Sequence, residues 1–200
     1  MKNKPAVPVN CLFQGCYNPE LEAEMRRCKK QCGRYNRLDV YARRRQRKLL
    51  EKLLGRMGED VVITPPFWCD YGCNISVGDH FYSNHNLVIT DGAKVTFGNN
   101  VFIGPNCCIT TAEHAVDPKQ RKAGLEIAKP VTVGDNVWIG AGSVVLAGVT
   151  IGDDAVIGAG SVVTRSIPGG VVAVGSPCRV LRKITEEDAC RYPFCDELRL

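Results

Sequence analysis

The chain has 200 residues, 44% of them hydrophobic, and a formal net charge of +5. This apolar content suffices for one domain of ordinary core size and excludes a mainly disordered chain, while no apolar run approaches the roughly 20 residues that span a bilayer. The N-terminal MKNKPAVPVN lacks the apolar core of a secretory signal, and the odd number of eleven cysteines favours free thiols, so we expect a protein of the reducing cytoplasm.

The first predicted element is a helix within NPELEAEMRRCKKQCGRYN. Its apolar positions are spaced by four, three and four residues, which forms one helical stripe. The stripe consists of Leu21, Met25, Cys28 and Cys32. Cys28 and Cys32 are then core thiols; a metal-binding pair is the alternative, but no nearby histidine completes such a site.

A second helix is predicted over about 38–56. Its buried side consists of Leu49, Leu50, Leu53 and Leu54. The run RRRQRK in this segment could contact nucleic acid, but no aromatic residue interleaves with the basic ones and no binding motif surrounds them. We interpret the run as a solvated helix face and expect neither a nucleic-acid nor a membrane partner.

A six-residue repeat follows, written most clearly as VTVGDN VWIGAG SVVLAG VTIGDD AVIGAG SVVTRS from residue 131. A helix would need apolar spacings of three and four, and a hairpin protein would show longer strands. A six-residue unit instead fits a short strand and a corner, with an inward aliphatic residue in each unit. Those residues are Val133, Ile139, Val145, Ile151, Ile157 and Val163.

Glycine follows four of these aliphatic residues, at 134, 140, 152 and 158, and we expect it to supply an unusual backbone conformation at the corners. About three units would close one triangular coil, so the predicted fold is an all-β parallel β-helix. The same period extends upstream, with a two-residue slip near Asp91 and Gly92.

The chain is therefore predicted to have three parts: a helical segment at 1–60, a β-helix at 61–182 and a charged capping tail at 183–200. A polar stretch at 110–130 interrupts the period and is predicted to form a protruding loop. It carries His114, one of three histidines. A surface histidine in a tolerated insertion is the alternative to a functional one.

The sequence around His114 resembles that of a known family, the hexapeptide O-acetyltransferases of the maltose, galactoside and nodulation-factor type. The matching segments are PPFWCDYGCNISVGDHFYSNHN at 65–86, TTAEHAVDP at 110–118, the run from 124 to 168, VGSPCRVLRKI at 174–184 and the helical leader GCYNPELEAEMRRCKKQCGRYN. The resemblance implies a left-handed β-helix, acetyl-CoA as donor without a required metal, a sugar as acceptor, and a homotrimer whose active sites lie between subunits.

The resemblance also implies site residues on the acceptor side. His114 would act as the general base on the acceptor hydroxyl, a role that suits imidazole near neutral pH, and Glu126 would orient it. Asn84 and Tyr82 would line the acceptor and acyl end of the groove. Asp70 and Asp91 would contact the acceptor, since carboxylates accept hydrogen bonds from sugar hydroxyls. The alternatives are a turn role for Asp91 and simple packing for Tyr82.

On the donor side, the family match covers two groups of residues. Trp138, Gly140, Ala141 and Ala159 match the stretch that binds the pantetheine arm. Thr164, Arg165, Arg179 and Arg182 match the phosphate end, where the fork of arginine suits phosphate. Subunit packing is the alternative for Trp138, and a solvated cation is the alternative for Arg182.

The chain departs from the family pattern at three points that bear on acceptor choice. Tyr17-Asn18-Pro19 replaces Tyr-Asp-Pro, His85 replaces a usual phenylalanine, and Cys73 stands where tyrosine or serine is more frequent. Other acceptors, namely serine, an aminosugar or an antibiotic hydroxyl, therefore stay open within the transferase class.

Two rival functions use the same fold. In a γ-type carbonic anhydrase, His80, His85 and His114 would bind a metal, but the basic phosphate end would have no purpose there. A non-catalytic scaffold is the second rival, because fold alone does not dictate function.

Overall fold

The computed structural model describes residues 7–16 and 18–189. Its helices are α1 (Pro19–Tyr35), α2 (Arg43–Leu53), α3 (Pro118–Lys122) and α4 (Glu186–Ala189). Its strands are β1 (Leu12–Gln14), β2 (Arg56–Met57), β3 (Val62–Ile63), β4 (Phe67–Cys69), β5 (Ile75–Val77), β6 (Tyr82–Ser83), β7 (Leu87–Thr90), β8 (Val95–Phe97), β9 (Phe102–Ile103), β10 (Cys108–Thr110), β11 (Ala112–His114), β12 (Leu125–Ala128), β13 (Val131–Val133), β14 (Trp138–Ile139), β15 (Val144–Val145), β16 (Thr150–Ile151), β17 (Val156–Ile157), β18 (Val162–Val163), β19 (Val171–Val174) and β20 (Arg179–Lys183).

The short strands stack into the three faces of a triangular prism. The orders are β18-β15-β10-β7-β4, β16-β13-β8-β5-β2 and β20-β19-β17-β14-β9-β6-β3, with parallel neighbours except for the antiparallel β19-β20 pair. Equivalent strands are 18 residues apart in the later coils, where Trp138 pairs with Val156. They are 20 residues apart in the earlier coils, where Tyr82 pairs with Phe102. The two additional residues per coil account for the predicted slip.

The predicted inward residues form the core. All six repeat aliphatics from Val133 to Val163 are at most 1% exposed. Ser143 and Ser161 are also fully buried, and their hydroxyls donate to the carbonyl oxygens of Gly140 and Gly158 at 2.7 and 2.6 Å. A buried hydroxyl costs little when it has such a partner, so serine is compatible with the prism interior.

The reason predicted for the repeat glycines is wrong. Gly134, Gly140, Gly152 and Gly158 do not adopt a positive φ; the left-handed residues lie two positions later in the repeat, for example Asn136 at φ 57° and Gly142 at φ 69°. Gly140 is required for a different reason. A Cβ atom at this position would lie 2.5 Å from the backbone nitrogen of Ala159 in the next coil, so only glycine allows the coils to approach.

The two N-terminal helices cover one end of the prism. Asn18 caps α1, because its side-chain oxygen accepts the N–H groups of Glu20 and Leu21 at 3.0 and 3.1 Å. Helix α2 is shorter than predicted, since the Asp39 side chain accepts the N–H of Tyr41 in a turn before it. It ends before residue 54, where the chain becomes extended and joins the first coil.

The predicted stripe on α1 and the leucine side of α2 face the core. Leu21, Cys28, Cys32, Leu50, Leu53 and Leu54 are buried, whereas Met25 and Leu49 are half-buried. The parallel sheets begin at Arg56, near the predicted boundary at residue 61. No helix within 7–16 and 18–189 combines the length and apolar character needed to cross a bilayer. The end of the predicted tail, residues 190–200, lies outside the described residues.

The stretch at 110–130 is more ordered than a simple loop. Strands β1, β12 and β11 form an antiparallel sheet in that order, and α3 connects β11 to β12. The buried Thr111 hydroxyl donates to the carbonyl oxygen of Thr90 at 2.7 Å, and the Lys129 ammonium pairs with Glu113 at 2.6 Å. Thr111 thus anchors the start of the insertion to the prism, the Lys129–Glu113 pair joins the two ends of the insertion, and the N-terminal strand β1 completes its sheet.

Candidate active site

His114 and Glu126 lie side by side on this antiparallel sheet. They are direct cross-strand partners, and Glu126 is also opposite Phe13 of β1. The Nδ1 atom of His114 is 3.9 Å from Oε1 of Glu126. The histidine side chain is 58% exposed, while the carboxylate is 22% exposed. The sheet therefore holds an imidazole that solvent and ligands can reach, with a carboxylate directly behind it.

Two residues of the N-terminal segment shape the surroundings of Glu126. The Cys16 thiol donates to Oε1 of Glu126 at 3.1 Å. This hydrogen bond and the adjacent carboxylate charge raise the pKa of Cys16, so the thiol stays protonated. At Gly15, a Cβ atom would lie 2.5 Å from the Glu126 carboxylate carbon. Glycine therefore leaves the space that the carboxylate occupies.

The pair borders a cavity of about 370 Å³, which is larger than the cavities of about 330 and 260 Å³ beside α1 and α2. Its size falls in the usual range of ligand sites, roughly 300–1,000 Å³. The lining comes from β1, α1, the insertion and two prism turns. It includes Val7, Phe13, Gly15, Cys16, Leu21, Glu22, Met25, Asp70, Tyr71, Thr90, Gly92, Thr110, Ala112, His114, Glu126 and Ala128.

Asp70 and Asp91 have different environments. Asp70 lines the cavity, and its Oδ1 atom is 2.9 Å from the ammonium of Lys29. Asp91 is fully buried, and its carboxylate accepts the N–H groups of Asp70, Tyr71 and Asn74. Burial raises the pKa of Asp91 to about 7, although these N–H donors favour its charged form. Asp91 thus holds the turn that presents Asp70.

The predicted site residues divide between two corners of the prism. Asp70, Asp91, Thr164 and Arg165 follow strands of the β4–β18 face, at the corner from which the insertion with His114 and Glu126 extends; we call this the His114 corner. Asn84, Gly140, Ala141 and Ala159 follow strands of the seven-stranded face at another corner, which we call the Asn84 corner. Within the chain, Asn84 does not line the cavity beside His114.

Aromatic side chains form an exposed row leading to the Asn84 corner. Tyr82, Phe102 and Trp138 are cross-strand partners in three successive coils, with exposed fractions of 36%, 51% and 55%. The Tyr82 and Phe102 rings are 6.4 Å apart between centroids. Asn84 is half-buried, and its side-chain oxygen accepts the N–H of His85 at 2.8 Å. Exposed aromatic surface of this kind is typical of a contact with a ligand or another protein.

The predicted phosphate-binding arginines also differ in their contacts. Arg165 and Arg179 are exposed, and Arg179 donates to the carbonyl oxygen of Cys178 at 2.7 Å. Arg182 instead forms a bidentate pair with Asp188 of α4, at 2.7 and 2.6 Å. A phosphate would have to compete with this carboxylate for Arg182.

Two side-chain clusters within the described residues have the composition of a metal site. Cys16, His114 and Glu126 form one, and Cys28, Cys32 and Cys69 form the other. The three histidines of the carbonic-anhydrase hypothesis do not form such a cluster within the described residues of one chain. His80 instead pairs with Asp60 at 3.4 Å, and His114 lies beside Glu126.

Several cavity residues were not predicted as site residues, notably Cys16, Met25 and Tyr71. Burial raises the pKa of Tyr71 to about 12, so its hydroxyl stays a hydrogen-bond donor in the cavity wall. Little in the sequence indicates that these residues line a site. Cys16 lies just before a helix, Met25 belongs to an apolar stripe and Tyr71 follows Asp70. Only the packing of the leader against the insertion brings them together.

The prism, the helical cap and the exposed imidazole of His114 together indicate a transferase of the hexapeptide-repeat class. Residues 130–165 match the model described as bacterial transferase hexapeptide (six repeats), and residues 12–58 match the maltose acetyltransferase hexapeptide capping motif. A putative acetyltransferase of Saccharomyces cerevisiae is 51% identical over 178 residues, which cover 89% of this chain and 91% of the yeast protein.

Two further relatives extend the comparison. Nodulation protein L of Rhizobium meliloti is 50% identical over 163 residues, 82% of this chain and 89% of that protein. A solved galactoside acetyltransferase in complex with coenzyme A is 40% identical with a TM-score of 0.86, and the match covers 92% of each chain. The chain belongs to the hexapeptide-repeat acetyltransferase family and is an acetyl-CoA-dependent enzyme; the predicted left-handed parallel β-helix is confirmed.

Proposed function

We propose that this chain is a sugar O-acetyltransferase in which His114 acts as general base. The observation that carries the proposal is the His114–Glu126 pair at the edge of a cavity that also contains a carboxylate, Asp70. A sugar acceptor agrees with that carboxylate, which accepts hydrogen bonds from hydroxyl groups. It also agrees with the galactoside acceptor in the name of the similar solved enzyme.

The proposed reaction is direct. His114 takes the proton of the acceptor hydroxyl, the oxygen attacks the thioester carbonyl carbon of acetyl-CoA, and a tetrahedral oxyanion forms. When this intermediate collapses, the carbon–sulfur bond breaks and the coenzyme A thiolate takes the proton from the imidazolium. Glu126, 3.9 Å from Nδ1, stabilises the imidazolium while the proton resides on it. Exposure of His114 limits this electrostatic contribution.

A covalent route through Cys16 is disfavoured. A cysteine attacks as thiolate, and the neighbouring Glu126 raises the pKa of Cys16 instead of lowering it. The thiol's hydrogen bond to Oε1 of Glu126 gives it an alternative role, because it orients the carboxylate that faces His114.

The complete site is proposed to lie between two protomers of a trimer. The Asn84 corner carries the residues matched to the donor arm, and it is distinct from the His114 corner. If the His114 corner of one protomer faced the Asn84 corner of its neighbour, the residues of both corners would form one site. It would also cover the aromatic row of Tyr82, Phe102 and Trp138, whose exposure favours such a contact. Exposed Arg165 and Arg179 would then be available to the phosphates of acetyl-CoA.

The compartment is a separate part of the proposal. Three cysteines that are free thiols, Cys28, Cys32 and Cys69, are packed together in the core. Closely packed free thiols are compatible with the reducing cytoplasm.

The direct test measures release of coenzyme A thiol from acetyl-CoA with galactosides, maltose, aminosugars and serine as acceptors. We expect turnover with a sugar, and a fall in kcat of about a thousandfold in H114A, since general-base catalysis contributes about 10²–10⁴. His80→Ala is the matched control, because His80 is also an exposed histidine but lies away from the cavity. An H114A enzyme as fast as the wild type would refute the assignment of the base.

A further inference from the structure

Three buried thiols meet where α1 packs against the prism. Cys28 and Cys32 lie one helical turn apart on α1, and Cys69 ends strand β4. Their exposed fractions are 4%, 0% and 0%. The sulfur–sulfur separations are 4.0 Å for Cys28–Cys32, 3.5 Å for Cys28–Cys69 and 3.7 Å for Cys32–Cys69. The proposed acetyl transfer does not use these residues.

The three sulfur atoms form a triangle of the size that a metal ion requires. A point equidistant from all three lies about 2.2 Å from each, close to the roughly 2.3 Å of a zinc–thiolate bond. The sulfur positions therefore already match the distances that one coordinated ion requires. A disulfide, by contrast, requires a bond of about 2.05 Å, so any pair would have to move together by more than an ångström.

The three sulfur atoms already converge on one point, since each lies within 4.0 Å of the other two. Lys29, the residue after Cys28 on α1, pairs with Asp70, the residue directly after Cys69. The thiol cluster thus lies behind the cavity wall and is not part of it.

We propose that Cys28, Cys32 and Cys69 bind one thiophilic d¹⁰ metal ion, and that this ion is Cu(I). Thiolate ligands select Cu(I) and zinc among biological metals. A structural zinc site almost always has four ligands, whereas the cluster within the described residues contributes three. Cu(I) is satisfied by three thiolates in a plane. Binding exchanges thiol protons for the metal ion, and the protons pass to solvent without any redox step.

The test is anaerobic titration of the reduced, full-length protein with Cu(I) in the presence of a chromogenic Cu(I) chelator. We expect the wild type to withdraw one tightly bound equivalent from the chelator. Each of C28A, C32A and C69A should weaken this binding by about a hundredfold or more, since losing a metal ligand costs more than the roughly 10–100-fold effect of losing a residue that only supports a ligand. Cys107→Ala is the matched control, because Cys107 is an equally buried prism thiol outside the cluster.

X-ray absorption of the copper-loaded wild type supplies a readout that does not depend on the folding of a variant. Three sulfur neighbours at one distance are expected; fewer than three sulfur neighbours would contradict the proposal. Copper binding that is equal in wild type and C69A would overturn it. A parallel titration with Zn(II) distinguishes the ion: cysteine-dependent zinc binding tighter than that of Cu(I) would retain the site and overturn the choice of metal.

Discussion

The coils at 131–163 and the insertion at 110–130 are neighbours in the chain but are built in opposite ways. In the coils, every repeat aliphatic side chain is buried, and β13, β14, β15 and β17 each pair with a strand on both sides. In the insertion, β11 and β12 carry half-buried or exposed side chains apart from Ala128. The coils therefore supply rigidity, and the insertion supplies the chemistry. Substitutions in the first region should change stability, and those in the second should change rate.

The largest expected effect is on the coils. Gly140→Ala places a methyl group 2.5 Å from the backbone nitrogen of Ala159, and that backbone cannot move without separating two coils. We expect a loss of about 3 kcal/mol or more in the free energy of unfolding, measured by denaturant titration. Gly142→Asn is the matched control: it has open space and a φ of 69°, like Asn136 at 57°, so it should cost less than about 1 kcal/mol. Equal losses for both would contradict the close-approach explanation.

A second prediction concerns the buried carboxylate of Asp91. Burial raises the pKa of Asp91 to about 7, above its ordinary value near 4, so the folded state binds a proton more tightly than the unfolded state. The stabilisation that this tighter proton binding gives is fully present below the ordinary pKa of the carboxyl and is lost as the pH rises through about 7. Between pH 5 and pH 8, wild-type stability should therefore fall by a few kcal/mol, and D91N should reduce this slope.

The control for this pH dependence is Asp135→Asn. Asp135 also accepts a backbone N–H from the preceding coil, that of Asn99 at 2.7 Å, but it is not fully buried. D91N should reduce the slope more than this control substitution does. A D91N protein with the wild-type slope would show that Asp91 is not the titrating group.

Within the insertion, Glu126→Gln should change rate and not stability. The amide keeps the shape of the side chain but removes the charge that stabilises the imidazolium of His114, 3.9 Å away. We expect kcat to fall about tenfold, equivalent to ~1.4 kcal/mol, with an unchanged Tm. The control is E113Q. Glu113 lies on the same sheet but pairs with Lys129 and not with His114, so the kcat of E113Q should stay near that of the wild type. Comparable losses in both would argue against a specific role for Glu126.

The smallest expected effect is at Gly15. In G15A, the new methyl group meets the flexible carboxylate of Glu126 at 2.5 Å, so the carboxylate moves while the backbone stays in place. We expect kcat to fall about threefold in the wild-type background and to stay unchanged in the E126Q background, as a double-mutant cycle requires for coupled residues. If the losses in kcat of G15A and E126Q were additive, Gly15 would not act on the rate through Glu126.

The sequence predicted the coils well because their rule is local. Val133, Ile139 and their equivalents are buried because a six-residue period alone decides which side chain points inward. The helix stripe of Leu21, Cys28 and Cys32 followed from the same kind of argument. The reason for Gly140 was missed because it depends on the adjacent coil, 18 residues further along the chain.

The candidate site was predictable only in part. His114 was indicated by its place in a break of the period, and Glu126 by family resemblance. Their pairing across β11 and β12, and the arrival of Cys16 beside them, depend on how β1 joins the insertion. No local pattern encodes a contact between residues that are 110 positions apart.

The sequence by itself determined the prism, its inward residues and the position of the break, because side-chain periodicity and backbone pairing act between near neighbours. The tertiary structure decided that Asp91 is buried behind Asp70, that Asn84 and His114 belong to different corners, and that three cysteines meet behind α1. These contacts join segments far apart in the chain, and only the packing of the helical cap and the insertion onto the coils sets their distances.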